Sequence, residues 1–197
     1  MHHPAIYIIC DPHSPQGHST LLQTEQLLLQ WGYTWQRQPQ TPGRTVTDQT
    51  WRSLGIRRLN QGKWINRPGA WGCFISHYRL WLQCRDSGNP MVILEHDALA
   101  QAAWPRDLDL DHCVWKLWRP VPLKYKPTVG HWNRGAWAYT LTAAQAASLI
   151  RFTEQQGALA LDKQIGTHAV AWQHWREDLF LHNPQPRIST TSRQIAK

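Results

Sequence analysis

The sequence predicts an α/β protein, with a mixed sheet flanked by helices in one domain over residues 1–197. Apolar runs of strand length alternate along the chain with segments of helical periodicity. One run, residues 91–94, is continuously apolar, which is typical of a strand buried on both faces. A chain of 197 residues is long enough to bury one sizeable core.

The first third of the chain begins with a short apolar run that predicts a strand over residues 5–11. A helix is predicted over residues 19–31, because leucines recur at helical spacing and Gly32 ends the pattern. A second strand is predicted over residues 33–38. Residues 39–69 are polar, lack periodicity and are interrupted by Pro and Gly, which predicts a long active-site loop.

The middle of the chain predicts a helix over residues 70–86, followed by a turn and a strand over residues 90–96. The helix is indicated by apolar side chains at i, i+3, i+4 and i+7 spacing, namely Trp71, Phe74, Ile75, Tyr78, Trp81 and Leu82. Gly88, Asn89 and Pro90 form the turn signal. These elements together predict a helix–turn–strand unit whose strand is buried.

The last part of the chain predicts strands over residues 113–118, 136–141 and 178–182, and helices over residues 143–156 and 161–175. Thr142 and Gln145 form a capping box at the start of the first helix, and Gly157 ends it. A second long loop is predicted over residues 119–134, and the tail from residue 184 is polar and basic.

The strand over residues 90–96 ends in charged and imidazole side chains, Glu95, His96 and Asp97. Ligands of α/β sheets bind beyond the carboxyl ends of strands, and carboxylates there can hold a hard divalent cation. We therefore predict Asp97 and Glu95 as metal ligands, with a solvated strand end as the alternative. His96 is a third candidate metal ligand, which would favour Mn²⁺ over Mg²⁺ if it faced the ion. The alternative is that His96, which in a strand points opposite to Glu95 and Asp97, packs or forms hydrogen bonds behind the site.

The helix–turn–strand unit resembles glycosyltransferase family 25, the lipooligosaccharide galactosyltransferase family. The family pattern is Gly-Cys-x-x-Ser-His, then Trp, then a strand ending Leu-Glu-Asp-Asp. It is matched at Gly72, Cys73, Ser76, His77, Trp81, Leu94, Glu95 and Asp97. Residues 135–141 are similar to the family's Gly-x-x-Ala-Tyr strand, and Asp162 follows at about the family's distance. The chain departs from the family at His96, where Asp is usual, and it lacks an Arg-rich turn after the first strand.

The resemblance implies a GT-A-like fold that transfers a hexose from a UDP-sugar to an acceptor hydroxyl, with inversion and with Mn²⁺ or Mg²⁺. Asp162 is the candidate general base, and an ordinary acidic residue at a helix N-terminus is the alternative. Candidate contacts to the donor are Asp11, Ser76, His77, Gly135 and His182. Candidate contacts to the acceptor are Arg57, Arg58, Asn133 and Arg134.

The charge leaves the acceptor open. The chain carries a formal net charge of +8 and 13 tryptophans, and a basic surface attracts nucleic acid, an anionic surface or a phosphorylated glycan. Basic residues gather in two stretches, Arg52, Arg57, Arg58, Lys63 and Arg67, then Lys116, Arg119, Lys124 and Lys126. Interleaved Trp and basic residues suit stacked bases or hexoses, unless they are merely core and solvated side chains. The acceptor is either a lipopolysaccharide-type glycan or a hydroxymethylated base of phage-type DNA, and a binding-only domain is a third possibility.

Composition also bears on the compartment. No run of 18 or more apolar residues is present, so no membrane-spanning helix is expected, and the N-terminus has no signal-peptide pattern. The four cysteines lack metal-type spacing. We therefore expect reduced thiols in a cytoplasmic protein of a bacterial host or a phage-infected cell.

Overall fold

A computed structural model describes residues 4–11, 15–57, 67–105, 108–118, 135–166 and 169–182. Its strands are β1 (Ala5–Cys10), β2 (Trp35–Pro39), β3 (Met91–Glu95), β4 (Ala98–Ala100), β5 (Val114–Lys116), β6 (Ala138–Leu141), β7 (Trp172–His174) and β8 (Phe180–His182). Its helices are α1 (Pro15–Gln30), α2 (Asp48–Ser53), α3 (Pro68–Ser87), α4 (Ala143–Gln156) and α5 (Leu161–Ile165), with a 3₁₀ turn at Gly43–Thr45.

Six strands form one mixed sheet in the order β2-β1-β3-β6-β5-β7. Strand β1 runs parallel to β2 and β3, whereas β6 runs antiparallel to both β3 and β5. Strand β7 is parallel to β5 at the sheet edge, and β4 and β8 pair antiparallel as a separate ribbon. The predicted mixed α/β architecture is confirmed, with helices flanking a Rossmann-like sheet.

Side chains alternate between the two faces of the sheet, as the pleat requires. In β1, Tyr7 and Ile9 enter one core cluster with α3, α4 and α5, whereas Ile6 and Ile8 enter the other cluster, to which α1 contributes. The side chains of β3 also alternate between the two core clusters, and its four apolar residues are all buried. This confirms that residues 91–94 form a strand covered on both faces.

Helices α3 and α4 agree with their sequence signals. Helix α3 has a proline in its first turn and ends at Gly88, whose φ of 71° is the left-handed geometry that glycine permits. The reciprocal capping box of Thr142 and Gln145 is present, and Gly157 follows α4. Of the apolar residues that periodicity selected on α3, Phe74, Ile75, Tyr78 and Trp81 are buried, and Trp71 and Leu82 pack partly buried against the same core cluster.

The predicted helix over residues 161–175 is wrong. Only Leu161–Ile165 is helical, and Trp172–His174 is strand β7, which pairs with the edge of β5. A free sheet edge supplies hydrogen bonds that the sequence pattern does not reveal. The long loop predicted over residues 39–69 contains the 3₁₀ turn and α2, and β4 was not predicted.

Several predicted features lie outside the described residues. They are the loop over residues 119–134, the basic tail from residue 184, and the candidate residues Arg58, Asn133 and Arg134. Within the part of the chain that is described, no helix combines the length and apolar character needed to cross a membrane.

Candidate active site

The carboxyl ends of five parallel strands, β1, β2, β3, β5 and β7, lie along one edge of the sheet. Ile9 of β1 is in register with Glu95 of β3, so both strands end there. Strand β6 enters at this edge, and Glu95 N–H donates to the Trp137 carbonyl at 2.7 Å. Strand β5 ends there too, because Lys116 is in register with Tyr139, and its parallel neighbour β7 places His174 beside Lys116. Ligands of such sheets bind at this edge.

The Gly and Ser of the family-like motif hold α3 against the loop after β2. A Cβ atom on Gly72 would lie 2.2 Å from the Thr41 carbonyl oxygen, so this close approach requires glycine. Ser76 Oγ accepts a hydrogen bond from the Thr41 N–H at 2.8 Å and donates to the Gly72 carbonyl at 2.7 Å. The Ser76 hydroxyl is thus engaged with buried backbone, and its contact with the donor stays a prediction.

A chain of hydrogen bonds connects α3, β6 and the acidic end of β3. Trp81 Nε1–H donates to the Tyr139 hydroxyl at 2.9 Å. The hydroxyl lies 2.8 Å from His77 Nδ1, and His77 Nε2 lies 3.1 Å from Glu95 Oε1. His77, Trp81 and Tyr139 are fully buried, whereas Glu95 is partly exposed at the sheet edge. The chain therefore links a buried network to a carboxylate that solvent or a ligand can reach.

The direction of these hydrogen bonds follows from their donors. Burial raises the pKa of Tyr139 well above its ordinary value, so its hydroxyl keeps its proton. The Tyr139 oxygen accepts from Trp81 and its O–H donates to His77 Nδ1, which leaves the His77 proton on Nε2. His77 Nε2–H then donates to Glu95, so His77 orients the carboxylate, as outer-shell residues do around metal ligands.

Cys73, His77 and Glu95 each offer a metal-ligand atom, and these atoms lie within 4.8 Å of one another. Burial and the charge of Glu95 raise the pKa of Cys73 well above its ordinary value, which disfavours the thiolate that binds metals. The Cys73 thiol instead donates to Glu95 Oε1 at 3.6 Å. Because His77 uses its Nε2 proton in the same way, the cluster is better suited to hold Glu95 than to bind an ion through sulfur and nitrogen.

Asp97 presents the second carboxylate. Its Oδ2 lies 3.1 Å from His182 Nε2, while its Oδ1 is buried and has no hydrogen-bond partner among the described residues. Burial favours the neutral acid, but the hydrogen bond and charge of His182, with the charge of His96, outweigh it and lower the pKa of Asp97. The hydrogen bond to Asp97 in turn raises the pKa of His182. The Asp97 carboxylate is therefore ionised, and its Oδ1 is not used in a hydrogen bond by any of the described residues.

His96 differs from its predicted setting. Strand β3 ends at Glu95, and residues 96–97 form a turn into β4, so the strand alternation used for His96 does not apply. The prediction of a strand through residue 96 is wrong by one residue, because the chain turns at Glu95 to begin the β4–β8 ribbon. The half-buried His96 acts on Asp97 through its charge.

Asp162 is brought to the same region by α5. It lies in the first turn of α5, and its Oδ1 accepts from the Lys163 N–H at 2.9 Å. Its negative charge reaches Cys73 and Lys116, where it contributes to raising the pKa of each group. The charges of Glu95, Asp97 and Asp162 all act on Cys73, although Asp162 is distant from the other two in sequence.

Lys116 is a residue that the sequence analysis misplaced. It was grouped with basic surface residues, but it is fully buried. Its Nζ lies 4.4 Å from the centroid of the Trp172 ring. The signal was present in part, because the alternation of residues 113–118 places Lys116 on the same face as Val114, and Val114 lies in the core cluster with α3, α4 and α5.

The remaining candidates occupy separate positions. Asp11 directly follows β1 at the site edge. Gly135 precedes β6 with φ of 104°, and a Cβ atom there would lie 1.7 Å from the Trp137 ring. Arg57 is exposed, and its carbonyl accepts from the Ala158 N–H at 2.9 Å, which places it beside the connection from α4 to α5.

Part of the chain matches a protein-family model. Residues 67–109 match the model of glycosyltransferase family 25 (LPS biosynthesis protein). The segment contains α3, β3 and β4, and so it confirms the resemblance over the motif that holds Glu95 and Asp97. The match supports a glycosyltransferase activity. No curated protein matches the chain.

Proposed function

We propose that this protein is a metal-dependent glycosyltransferase that moves a hexose, galactose or glucose, from a UDP-sugar to an acceptor hydroxyl with inversion. One observation carries the proposal. An ionised Asp97 with an unpartnered buried oxygen stands beside the oriented Glu95 at the ligand-binding edge of the sheet. Both lie in the segment that matches a glycosyltransferase family.

The donor set fits a hard divalent cation. Asp97 offers Oδ1, which has no hydrogen-bond partner among the described residues, and Glu95 uses Oε1 for His77 and Cys73. Carboxylate oxygens suit Mn²⁺ or Mg²⁺. When bound, the ion supplies neutralisation of the charge that develops on the departing diphosphate. His96 is near enough to affect Asp97 and is the third candidate ligand.

Asp162 is the proposed general base. In a single displacement the acceptor oxygen bonds to the anomeric carbon as the bond to the UDP oxygen breaks, and the acceptor proton passes to the Asp162 carboxylate. This requires Asp162 on the side of the sugar opposite the diphosphate. Its position on α5, a separate element from the turn that carries Asp97, supports that division of roles.

The proposed acceptor is a lipopolysaccharide-type glycan, because the matching family carries that description. The proposed donor contacts are Asp11, Ser76, His77, Gly135 and His182. The proposed acceptor contacts are Arg57, Arg58, Asn133 and Arg134. His182 is favoured among the donor contacts because it already touches Asp97. A cytoplasmic setting is part of the proposal, and the free state of the four cysteines agrees with it.

Asp97→Asn tests the proposal, with Asp86→Asn as the matched control. Asp86 is exposed near the end of α3 and pairs with Arg85 at 2.7 Å. Release of UDP from UDP-galactose and UDP-glucose would be measured with and without Mn²⁺. We expect Asp97→Asn to lose most of the Mn²⁺-dependent activity while remaining folded, and Asp86→Asn to keep that activity.

Two results would contradict the proposal. Near-normal rates in Asp97→Asn would remove Asp97 from the metal site. A wild-type chain that binds UDP-sugars but releases no UDP above background, with any acceptor or with water, would instead be a binding domain.

A further inference from the structure

Two buried indole N–H groups without partners lie at the edge of the sheet that carries the candidate site. Trp118 follows the end of β5 and Trp137 directly precedes β6, and the antiparallel pairing of these strands brings the two side chains together. Their rings are stacked, with centroids 4.1 Å apart. Both Nε1 atoms are buried, and neither has a hydrogen-bond partner among the described residues. A buried indole usually finds an acceptor for its N–H, so two neighbouring exceptions require an explanation.

The stacked pair is connected to Asp97 through His182. The ring centroids of Trp137 and His182 are 5.1 Å apart, and His182 Nε2 lies 3.1 Å from Asp97 Oδ2. Asp97 Oδ1 is also buried and without a partner among the described residues. Two hydrogen-bond donors and one acceptor that the protein does not use therefore lie along one continuous run of side chains. Because His182 is exposed and Trp137 is only partly buried, this run reaches the surface.

The pair is held in place independently of any ligand. The Trp137 carbonyl accepts a hydrogen bond from the Glu95 N–H at 2.7 Å, which fixes Trp137 to the acidic end of β3. The backbone of Gly135 packs against the Trp137 ring so closely that a Cβ atom there would lie 1.7 Å from the ring. Trp118 is buried against the other side chains of its core cluster. Side chains that are fixed beforehand lose little freedom on binding a ligand.

We propose that Trp118 and Trp137 form the subsite for the hexose of the sugar-nucleotide donor, with their indole N–H groups donating to hydroxyl oxygens of the sugar. The inference deepens the proposed function and rests on it for the identity of the donor. An indole nitrogen only donates, so its partner must be an acceptor oxygen, and a hexose carries several.

The position of the pair selects the hexose over the other parts of the donor. In the proposed function, Asp97 faces the diphosphate, and the hexose is bonded directly to that diphosphate. The contact from Asp97 through His182 to Trp137 then leads from the diphosphate to the group next to it. An aromatic surface with hydrogen-bond donors suits a hexose, which has an apolar ring face and polar hydroxyls.

The indole N–H signals test the inference directly. Full-length protein labelled with ¹⁵N-tryptophan would be titrated with UDP, UDP-galactose and UDP-glucose in the presence of Mg²⁺, and the signals would be assigned from single Trp→Phe variants. We expect the Trp118 and Trp137 N–H protons to move downfield with at least one UDP-hexose, because they gain an acceptor, and to move little with UDP. Signals that stay in place, or that respond equally to UDP, would overturn the inference.

Trp51 provides the matched control. Its Nε1 is likewise buried and without a partner among the described residues, but its ring packs on Phe74 in the other core cluster, with centroids 5.9 Å apart. The Trp51 signal should stay in place with all three compounds. A Trp51 signal that moves as far as those of Trp118 and Trp137 would show a general response of buried indoles and would overturn the inference.

Binding measurements give the contribution of each N–H. Trp118→Phe and Trp137→Phe keep an aromatic ring but remove the donor, so each should weaken UDP-hexose binding by on the order of tenfold and leave UDP binding unchanged. Trp51→Phe should leave both affinities unchanged. Equal losses for UDP and UDP-hexose would assign the pair to the nucleotide, and unchanged affinities would assign it to the core; either result overturns the inference. If Trp118→Phe fails to fold, the partly exposed Trp137 decides through its signal and its variant.

These results separate the subsite from the proposed function. A wild-type chain that transfers a hexose while both indole signals stay in place would refute only the subsite. Indole signals that respond to a UDP-hexose in a chain that transfers no sugar would support the subsite and refute the transferase activity. A chain that binds neither UDP-hexose would refute the proposed function and the subsite with it.

Discussion

Removing the Tyr139 hydroxyl is the sharpest test of the network that holds Glu95. In Tyr139→Phe the ring and its packing remain, but two buried groups lose their partner. Trp81 Nε1–H loses an acceptor at 2.9 Å, and His77 Nδ1 loses a donor at 2.8 Å. Both side chains have no exposed surface, so water cannot replace the hydroxyl without rearrangement.

The size of the effect follows from those two groups. A buried polar group left without a partner costs about 1–3 kcal/mol, so two that share one hydroxyl should cost about 2–5 kcal/mol together. For a chain of this length the melting temperature should fall by on the order of 5–15 °C. Released from Tyr139, His77 can also move its proton to Nδ1, and Glu95 then loses a fixed donor.

Tyr7→Phe is the matched control. Tyr7 lies on β1 and faces the same core cluster, but its hydroxyl accepts from Gln83, an exposed residue whose amide can turn to water. Its loss should cost within about 1 kcal/mol. Thermal melting of both variants, with ¹⁵N spectra of the His77 ring, would compare them. The assigned network is refuted if the two variants melt alike, or if wild-type His77 carries its proton on Nδ1.

Three further predictions follow from the site. Asp162→Asn should lower turnover by ~10²–10⁴-fold and leave donor binding nearly unchanged, and equal losses in both would point to a structural or donor-binding residue. Since the pKa of Lys116 falls from 10.5 to about 8 on folding, the unfolded chain binds more protons in that window. The free energy of unfolding of the wild type, relative to that of Lys116→Met, should then rise by on the order of 3 kcal/mol between pH 8 and pH 10.5. Urea denaturation at several pH values would measure this difference, and a difference that does not change with pH would contradict the prediction. Burial raises the pKa of Cys84 to about 12. The buried thiols therefore lower the free energy of unfolding at alkaline pH, but they do so equally in the wild type and in Lys116→Met. Finally, if the acceptor is DNA, the affinity of the protein for duplex DNA should fall by on the order of 10³-fold between 50 and 200 mM salt, and Arg57→Ala should make that dependence on salt shallower. Transfer of sugar to a hydroxymethylated duplex would contradict the proposed glycan acceptor.

Local signals were sufficient for much of the fold. Helix α4 was predicted with its bounds, because the capping box of Thr142 and Gln145 and the closing Gly157 are interactions within a few residues. Helix α3 and strand β3 were predicted for the same reason, since the period of apolar residues reports which face is buried. The edge strand β7 was missed, because residues 172–174 become a strand only through pairing with β5.

Part of the candidate site could also be predicted from local sequence, and part depends on tertiary structure. The motif around Gly72 and the acidic end of β3 could be recognised in sequence, because helix, turn and strand are consecutive and their side chains meet through a short connection. The role of the Tyr139 hydroxyl could not, since it lies 62 residues from His77 and depends on β6 pairing with β3.

The sequence by itself determined the fold class, the strand that ends in carboxylates and the family that the motif resembles. Only the tertiary structure decided that His182 contacts Asp97 and that Lys116 is buried. Helical periodicity and helix caps depend on residues within a few positions of one another, so they can be predicted from the local sequence. Burial of a charge and the meeting of strand ends depend on which strands pair, and that choice is made by the whole chain.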